Sequence, residues 1–270
     1  MPRAATSSPS VFACEVCGIG HGRTVLMRQF LDLDRRFVIA HRGGAKCRPE
    51  NTMAAFDYAV ELGVDAIEVD VHLSRDEHAV VIHDPTLNRT TSSFGAVADR
   101  SADELARLKV PALRSVLLRH QTMPFMIELK PGSPAMVRAA IRAVADAGAV
   151  DRVLFGSFSL PALALVREHG GFITSAATPE VTSAVIRSRF FVRPTRRRAY
   201  QLLQVPELTK KGTRIVSPRF IRLARAAGMP VHVWVVDEPA DVRRLLGWGV
   251  TGFITDQPDV VKATLAAAGG

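Results

Sequence analysis

Three cysteines in 270 residues, Cys14, Cys17 and Cys47, cannot make a full disulfide set and are too few to staple a domain of this size. A reducing compartment, the cytoplasm, fits that scarcity. Aromatic residues are also sparse, with two tryptophans and two tyrosines. No uninterrupted apolar stretch reaches the roughly 18 residues needed to span a bilayer, because Arg, Asp or Glu breaks every candidate run. A secretory signal is missing as well: the apolar stretch at 11–19 is short, contains Glu15 and follows no basic region. These absences exclude an integral membrane protein and argue against a disulfide-stapled secreted one.

What is present is the balance of a globular chain, 47% hydrophobic and 23% charged. The net charge of +9 raises an anionic substrate, nucleic acid or an acidic membrane surface as partners. No nucleic-acid recognition module accompanies the charge, so no nucleic-acid partner is expected. Six arginines, Arg187, Arg189, Arg193, Arg196, Arg197 and Arg198, crowd into residues 187–198 around Phe190, Phe191 and Val192. That amphipathic segment reads chiefly as a solvated basic loop that attracts phosphate substrates, with weak contact to an anionic membrane surface as its second reading.

Residues 1–36 lack a clean period and are expected to be a poorly ordered leader. Within it Cys14, Cys17 and His21 resemble half a zinc site, but a closed structural site needs four ligands. From residue 37 onward, eight β-rich runs alternate with helical patterns. The runs are 37–40, 65–71, 125–129, 152–155, 172–175, 200–204, 231–235 and 252–255. The helical patterns lie at 52–62, 135–147, 160–169, 218–227, 240–246 and 260–268, several ending at glycine. Nearly continuous apolar strands separated by helices imply parallel neighbours buried on both faces, and eight such units predict an α/β fold, a single closed (β/α)8 TIM barrel over 37–270. An insertion at about 72–100, with extended pieces at 79–82 and 87–97 before Ser101 opens a helix, interrupts the rhythm on a βα loop.

Acidic and imidazole side chains collect at the C-terminal ends of the expected strands. His41 and Arg42 follow the first; Glu68 and Asp70, two apart on the second, point to one side; Glu128 ends the third. Three converging carboxylates call for a cation, and all-oxygen ligation favours one divalent Mg2+ or Ca2+. His41 and His83 are the histidines placed to act as an acid/base pair. His72, His78, His120, His169 and His232 read as packed or surface residues.

The motifs HRGG at 41–44, PENT at 49–52, GVDAIEVDV at 63–71, HDPTLNRTT at 83–91, ELK at 128–130 and GFITDQP at 252–258 together resemble the glycerophosphodiester phosphodiesterase family. The resemblance implies metal-dependent hydrolysis of small-molecule glycerophosphodiesters to glycerol 3-phosphate and an alcohol. It assigns Glu68, Asp70 and Glu128 to the metal and His41 and His83 to proton transfer. It assigns Arg42 and Lys130 to the phosphate, and places Glu50 near metal and glycerol. Similar enzymes let the glycerol 2-hydroxyl attack phosphorus, giving a cyclic phosphate that water opens. Trp234 supplies an apolar wall for the substrate, and Gln204, ending the sixth run, is either a pocket residue or a structural one. WVVDE at 234–238 departs from the family's WTVN form, so Asp237 is expected to change polarity near the glycerol pocket. The alternatives are a lysophospholipase D acting on lysophospholipids and a non-catalytic phosphate-ligand sensor.

Overall fold

The computed structural model describes residues 25–130, 133–190 and 199–269. Eight parallel strands form its frame. They are β1 (Phe37–His41), β2 (Ala66–Leu73), β4 (Phe125–Leu129), β5 (Val153–Gly156), β6 (Ile173–Thr174), β7 (Leu203–Pro206), β8 (Val231–Trp234) and β9 (Gly252–Thr255); β3 (Ala79–Val81) stands outside that series. The hydrogen-bonded order β6-β5-β4-β2-β1-β9-β8-β7 is closed into a ring by a parallel bridge between Ser175 and Leu202. The expected (β/α)8 barrel is therefore the architecture.

Strand periodicity explains how this barrel carries a site. Phe37 and Ile39 of β1, Ala66 of β2, Met126 of β4, Leu154 of β5 and Ile254 of β9 share one buried cluster, distinct from the outer cluster built by Val38, Ala40, Ile67, Val69 and Ile127 against the helices. Two residues further along the inward rows stand His41, Glu68 and Glu128. The same row is thus apolar in the barrel's lower half and charged at its upper rim. Register reinforces this placement: His41 pairs with Glu68, and Asp70 with Glu128.

Helix boundaries follow their caps. Thr52 accepts from the Ala55 N–H and Gly63, at φ 70°, ends the helix Met53–Leu62. Ser133, Ser159 and Ser217 cap Pro134–Asp146, Leu160–His169 and Pro218–Ala226. Two helices were not legible as periods, Leu113–Arg119 and Thr178–Arg189. The sixth expected strand is displaced to Leu203–Pro206, with Val205 buried against the outer core.

The leader expectation is corrected over its second part. Val25–Arg28 is helical and continues into a 3-10 turn, Gln29–Leu31, whose Phe30, like Met27 before it, is fully buried. Spaced by three, these two side chains fall on one face and close the lower end of the barrel, Phe30 packing on Phe37 at 4.6 Å. The Cys14, Cys17 and His21 group lies outside the described residues.

The insertion is a small unit with its own core of Val80, Ile82, Leu87, Val97, Leu105 and Val110. β3 pairs antiparallel with β2, and the expected extended pieces beyond it reduce to one bridge, Thr86 to Ala96. Ser101 and Glu104 form a capping box on Ala102–Arg107.

Candidate active site

The upper end of the barrel opens into a cavity of about 500 Å3 lined by His41, Arg42, Glu68, Asp70, His83, Glu128, Lys130 and Trp234, among others. Eight of the nine residues singled out for chemistry therefore meet in one place. The ninth, Glu50, differs from expectation. Its oxygens are taken by Arg42 at 2.9 Å and by Arg89 at 2.6 and 2.7 Å, so it orients guanidinium groups instead of facing the cavity. Burial alone would raise its pKa, but Arg89 and Arg42 hold it below the usual carboxylate range.

His41, at the end of β1, places Nδ1 2.6 Å from Asp256 Oδ1 and Nε2 3.9 Å from Glu68 Oε2. Because a carboxylate only accepts, Nδ1 carries the proton and Nε2 is left toward the cavity. Burial lowers the imidazole pKa, yet Asp256 and Glu68 outweigh it and hold the group above its ordinary value. His83 repeats the arrangement, with Nδ1 2.7 Å from Asp84 Oδ1, and Asp84 is tied in turn to Arg89 at 2.7 Å. Arg89 and His83 together drive the Asp84 pKa far below the usual range despite some desolvation.

Sequence reasoning assigned no role to Asp256, Asp84, Arg89 or Asn51, although all four lie within the family motifs. Asp237 is also corrected: it does not line the cavity. Its Oδ1 accepts from Thr255 Oγ1 and the Asp256 N–H, each at 2.8 Å, and its Oδ2 pairs with Lys46 at 2.9 Å. It fixes the turn that presents Asp256 to His41.

Arg42 sits at φ 54°, a left-handed conformation that turns its N–H onto Glu68 Oε2 at 3.1 Å. Its Nε lies 3.1 Å from Asp70 Oδ2 without hydrogen-bond alignment. Lys130 meets Asp70 Oδ1 at 2.9 Å and Asn51 donates to Asp70 Oδ2 at 3.1 Å. Burial would raise Asp70, but Lys130 and Arg42 pull it down, whereas burial and the Asp70 charge raise Glu68. Glu128 is pushed up to about 8, chiefly by burial, and its Oε1 has no hydrogen-bond partner. Gly156 makes room for that carboxylate, since a Cβ there would stand 2.9 Å from Glu128 Oε2.

Among the described residues no three His, Cys, Asp or Glu side chains are already gathered as a metal-ligand set. The donor chemistry nevertheless fits a hard divalent cation: Glu128 Oε1 is buried without a partner, and burial raises the pKa of both Glu128 and Glu68, the penalty that a nearby dication would offset.

A sequence model described as the glycerophosphoryl diester phosphodiesterase family matches residues 41–260. The chain belongs to this family. A glycerophosphodiester phosphodiesterase of Caldanaerobacter subterraneus is 32% identical over 249 residues, covering 84% of this chain and 96% of that protein. A lysophospholipase D of Rattus norvegicus is 26% identical, covering 84% and 85%. The crystal structure of a glycerophosphodiester phosphodiesterase from Agrobacterium tumefaciens superposes with a TM-score of 0.66 at 26% identity, over 86% of this chain and 99% of that one.

The family motifs map onto the rim, and the described start of the basic segment falls between the fifth and sixth strands of the barrel, β6 and β7, as expected. Its described part, Arg187 to Phe190, ends the helix Thr178–Arg189, whose first turns line the cavity. The remainder, 191–198, lies outside the described residues. Among the described residues no helix is long and apolar enough to cross a membrane.

Proposed function

We propose that the protein hydrolyses glycerophosphodiesters to glycerol 3-phosphate and an alcohol, in the cytoplasm. The observation that carries this reading is the pair of imidazoles lining one cavity, each held at Nδ1 by a carboxylate, which leaves Nε2 of each for proton transfer. Two such groups divide the proton transfers of a phosphoryl displacement: one takes the proton of the glycerol 2-hydroxyl, the other protonates the departing alcohol oxygen. The nucleophile then belongs to the substrate, and holding it against phosphorus replaces a bimolecular encounter. Arg42 and Lys130 bind the phosphoryl oxygens, and Trp234 forms an apolar wall against the carbon skeleton. Glu50 acts through Arg42. Glu68, Asp70 and Glu128 would hold Mg2+ or Ca2+, which supplies further positive charge for the phosphoryl oxygens.

Purified protein should release glycerol 3-phosphate from glycerophosphocholine or a similar diester with Mg2+ or Ca2+ present, and EDTA should stop it. His41→Ala and Glu68→Ala should each lower turnover by about a thousandfold or more. Equal, negligible rates with and without EDTA would favour a phosphate-ligand sensor. A second reading draws on the exposed Phe158 and Val235 beside the cavity, which suit a single-chain lipid. Choline release from lysophosphatidylcholine but not from glycerophosphocholine would select that lysophospholipase D activity.

A further inference from the structure

The cavity wall is divided by chemistry. His41, Arg42, Glu68, Asp70, His83, Glu128 and Lys130 all come from the arc of β1, β2, β4 and the connection after β3. The opposite arc, beyond the ends of β5 to β8, contributes Phe158, Thr178, Val181, Thr182, Thr209 and Lys210, and among its described lining residues Lys210 alone carries charge. Reacting groups fill one side, while hydroxyls, hydrocarbon and one ammonium fill the other.

Resting on the phosphodiesterase reading, we propose that the β5–β8 arc receives the departing alcohol. Through Lys210 and its threonines it selects hydroxyl-rich, uncharged or anionic head groups over quaternary ammonium ones. The hydroxyls complement a polyol. Thr182 Oγ1 donates to the Thr178 carbonyl at 2.9 Å and keeps its lone pairs; Thr209 Oγ1 accepts from the Thr213 N–H at 3.0 Å and keeps its proton. Both a donor and an acceptor are thus available to alcohol hydroxyls.

A quaternary ammonium fares worse on this arc. It finds no lining carboxylate there, and Lys210, exposed on the cavity lining, repels it. The aromatic alternative is weakened, because Lys130 Nζ, 5.9 Å from the Phe158 ring centroid, sets a second positive charge beside the Phe158–Trp234 pair.

The test compares kcat/KM for glycerol 3-phosphate release from glycerophosphoglycerol, glycerophosphoinositol and glycerophosphocholine. Wild-type protein should favour the two polyol diesters by about tenfold or more, and Lys210→Glu should shrink or invert that ratio. Lys211→Glu changes charge at the next residue, outside the cavity lining, and should keep the wild-type ratio. Equal or choline-favouring wild-type values would overturn the proposal and leave the phosphodiesterase reading standing. So would a ratio unmoved by Lys210→Glu, or moved as much by Lys211→Glu. Failure to cleave any of the three diesters would overturn both.

Discussion

At the scale of single residues, the working orientation of His41 depends on a carboxylate that faces no substrate. Asp256 holds Nδ1, and Asp237, Thr255 and Lys46 hold the turn that carries Asp256. Asp256→Asn keeps the shape but removes the anion that fixes the ring tautomer and favours its protonated form. We expect kcat for glycerol 3-phosphate release to fall by about a hundredfold with KM changed little, and the thermal midpoint to stay within a few degrees; an unchanged kcat would refute this role. The nine candidate residues could be named from sequence because strand period and motif order mark them locally. Asp256 could be seen only as part of GFITDQP, since its partner stands 215 residues earlier and no periodicity joins two chain ends. Asp237 misled for a related reason: one letter in WVVDE does not reveal whether its side chain turns inward or toward the neighbouring turn.

Among the elements, the insertion depends on local chemistry more than on the barrel. Ser101 Oγ accepts from the Glu104 N–H at 3.3 Å, and Glu104 Oε2 accepts from the Ser101 N–H at 2.7 Å. Ser101→Ala should cost about 1 kcal/mol. In a chain of this size that lowers the thermal midpoint by about 2–4 °C, read by calorimetry or circular dichroism. This cap was legible because serine stands immediately before an acidic first turn. Thr178–Arg189 was not, because Val181, Thr182, Val185 and Ile186 are β-branched and blur the helical period; Glu180 nevertheless caps it at the Ala177 N–H, 2.8 Å away. The displaced strand Leu203–Pro206 has a similar cause, since YQLLQVP is apolar enough to permit several frames and only the neighbours on either side select one.

For the whole molecule, the lower end of the barrel sets an acid limit on stability. His232 of β8 points inward there, fully buried, near Phe30 and Phe37. Burial depresses its pKa to about 3, opposed only weakly by the Phe30 backbone. A ring with a depressed pKa is neutral in the fold but protonates on unfolding, so its stability contribution is complete above about pH 6.5 and declines as pH falls toward 3. Between pH 7 and 5 this group alone removes about 2 kcal/mol, and His232→Leu should flatten that part of the stability curve measured by urea titration. An unchanged slope would assign the acid sensitivity elsewhere. Barrel closure itself followed from counting strand and helix alternations, but the plug did not, because Met27 and Phe30 show their value only once a hollow exists beneath Phe37.

The two arcs of the cavity also succeed one another along the polypeptide: proton-transfer and anion-handling groups occupy residues 41–130, and the facing wall occupies 156–235. If the facing wall selects the head group as proposed, two recombination junctions, one between 130 and 156 and one between 235 and Asp256, would exchange that preference as a cassette while keeping His41 with its Asp256 partner. New substrate ranges can thus arise in this scaffold by segment shuffling as well as by point mutation.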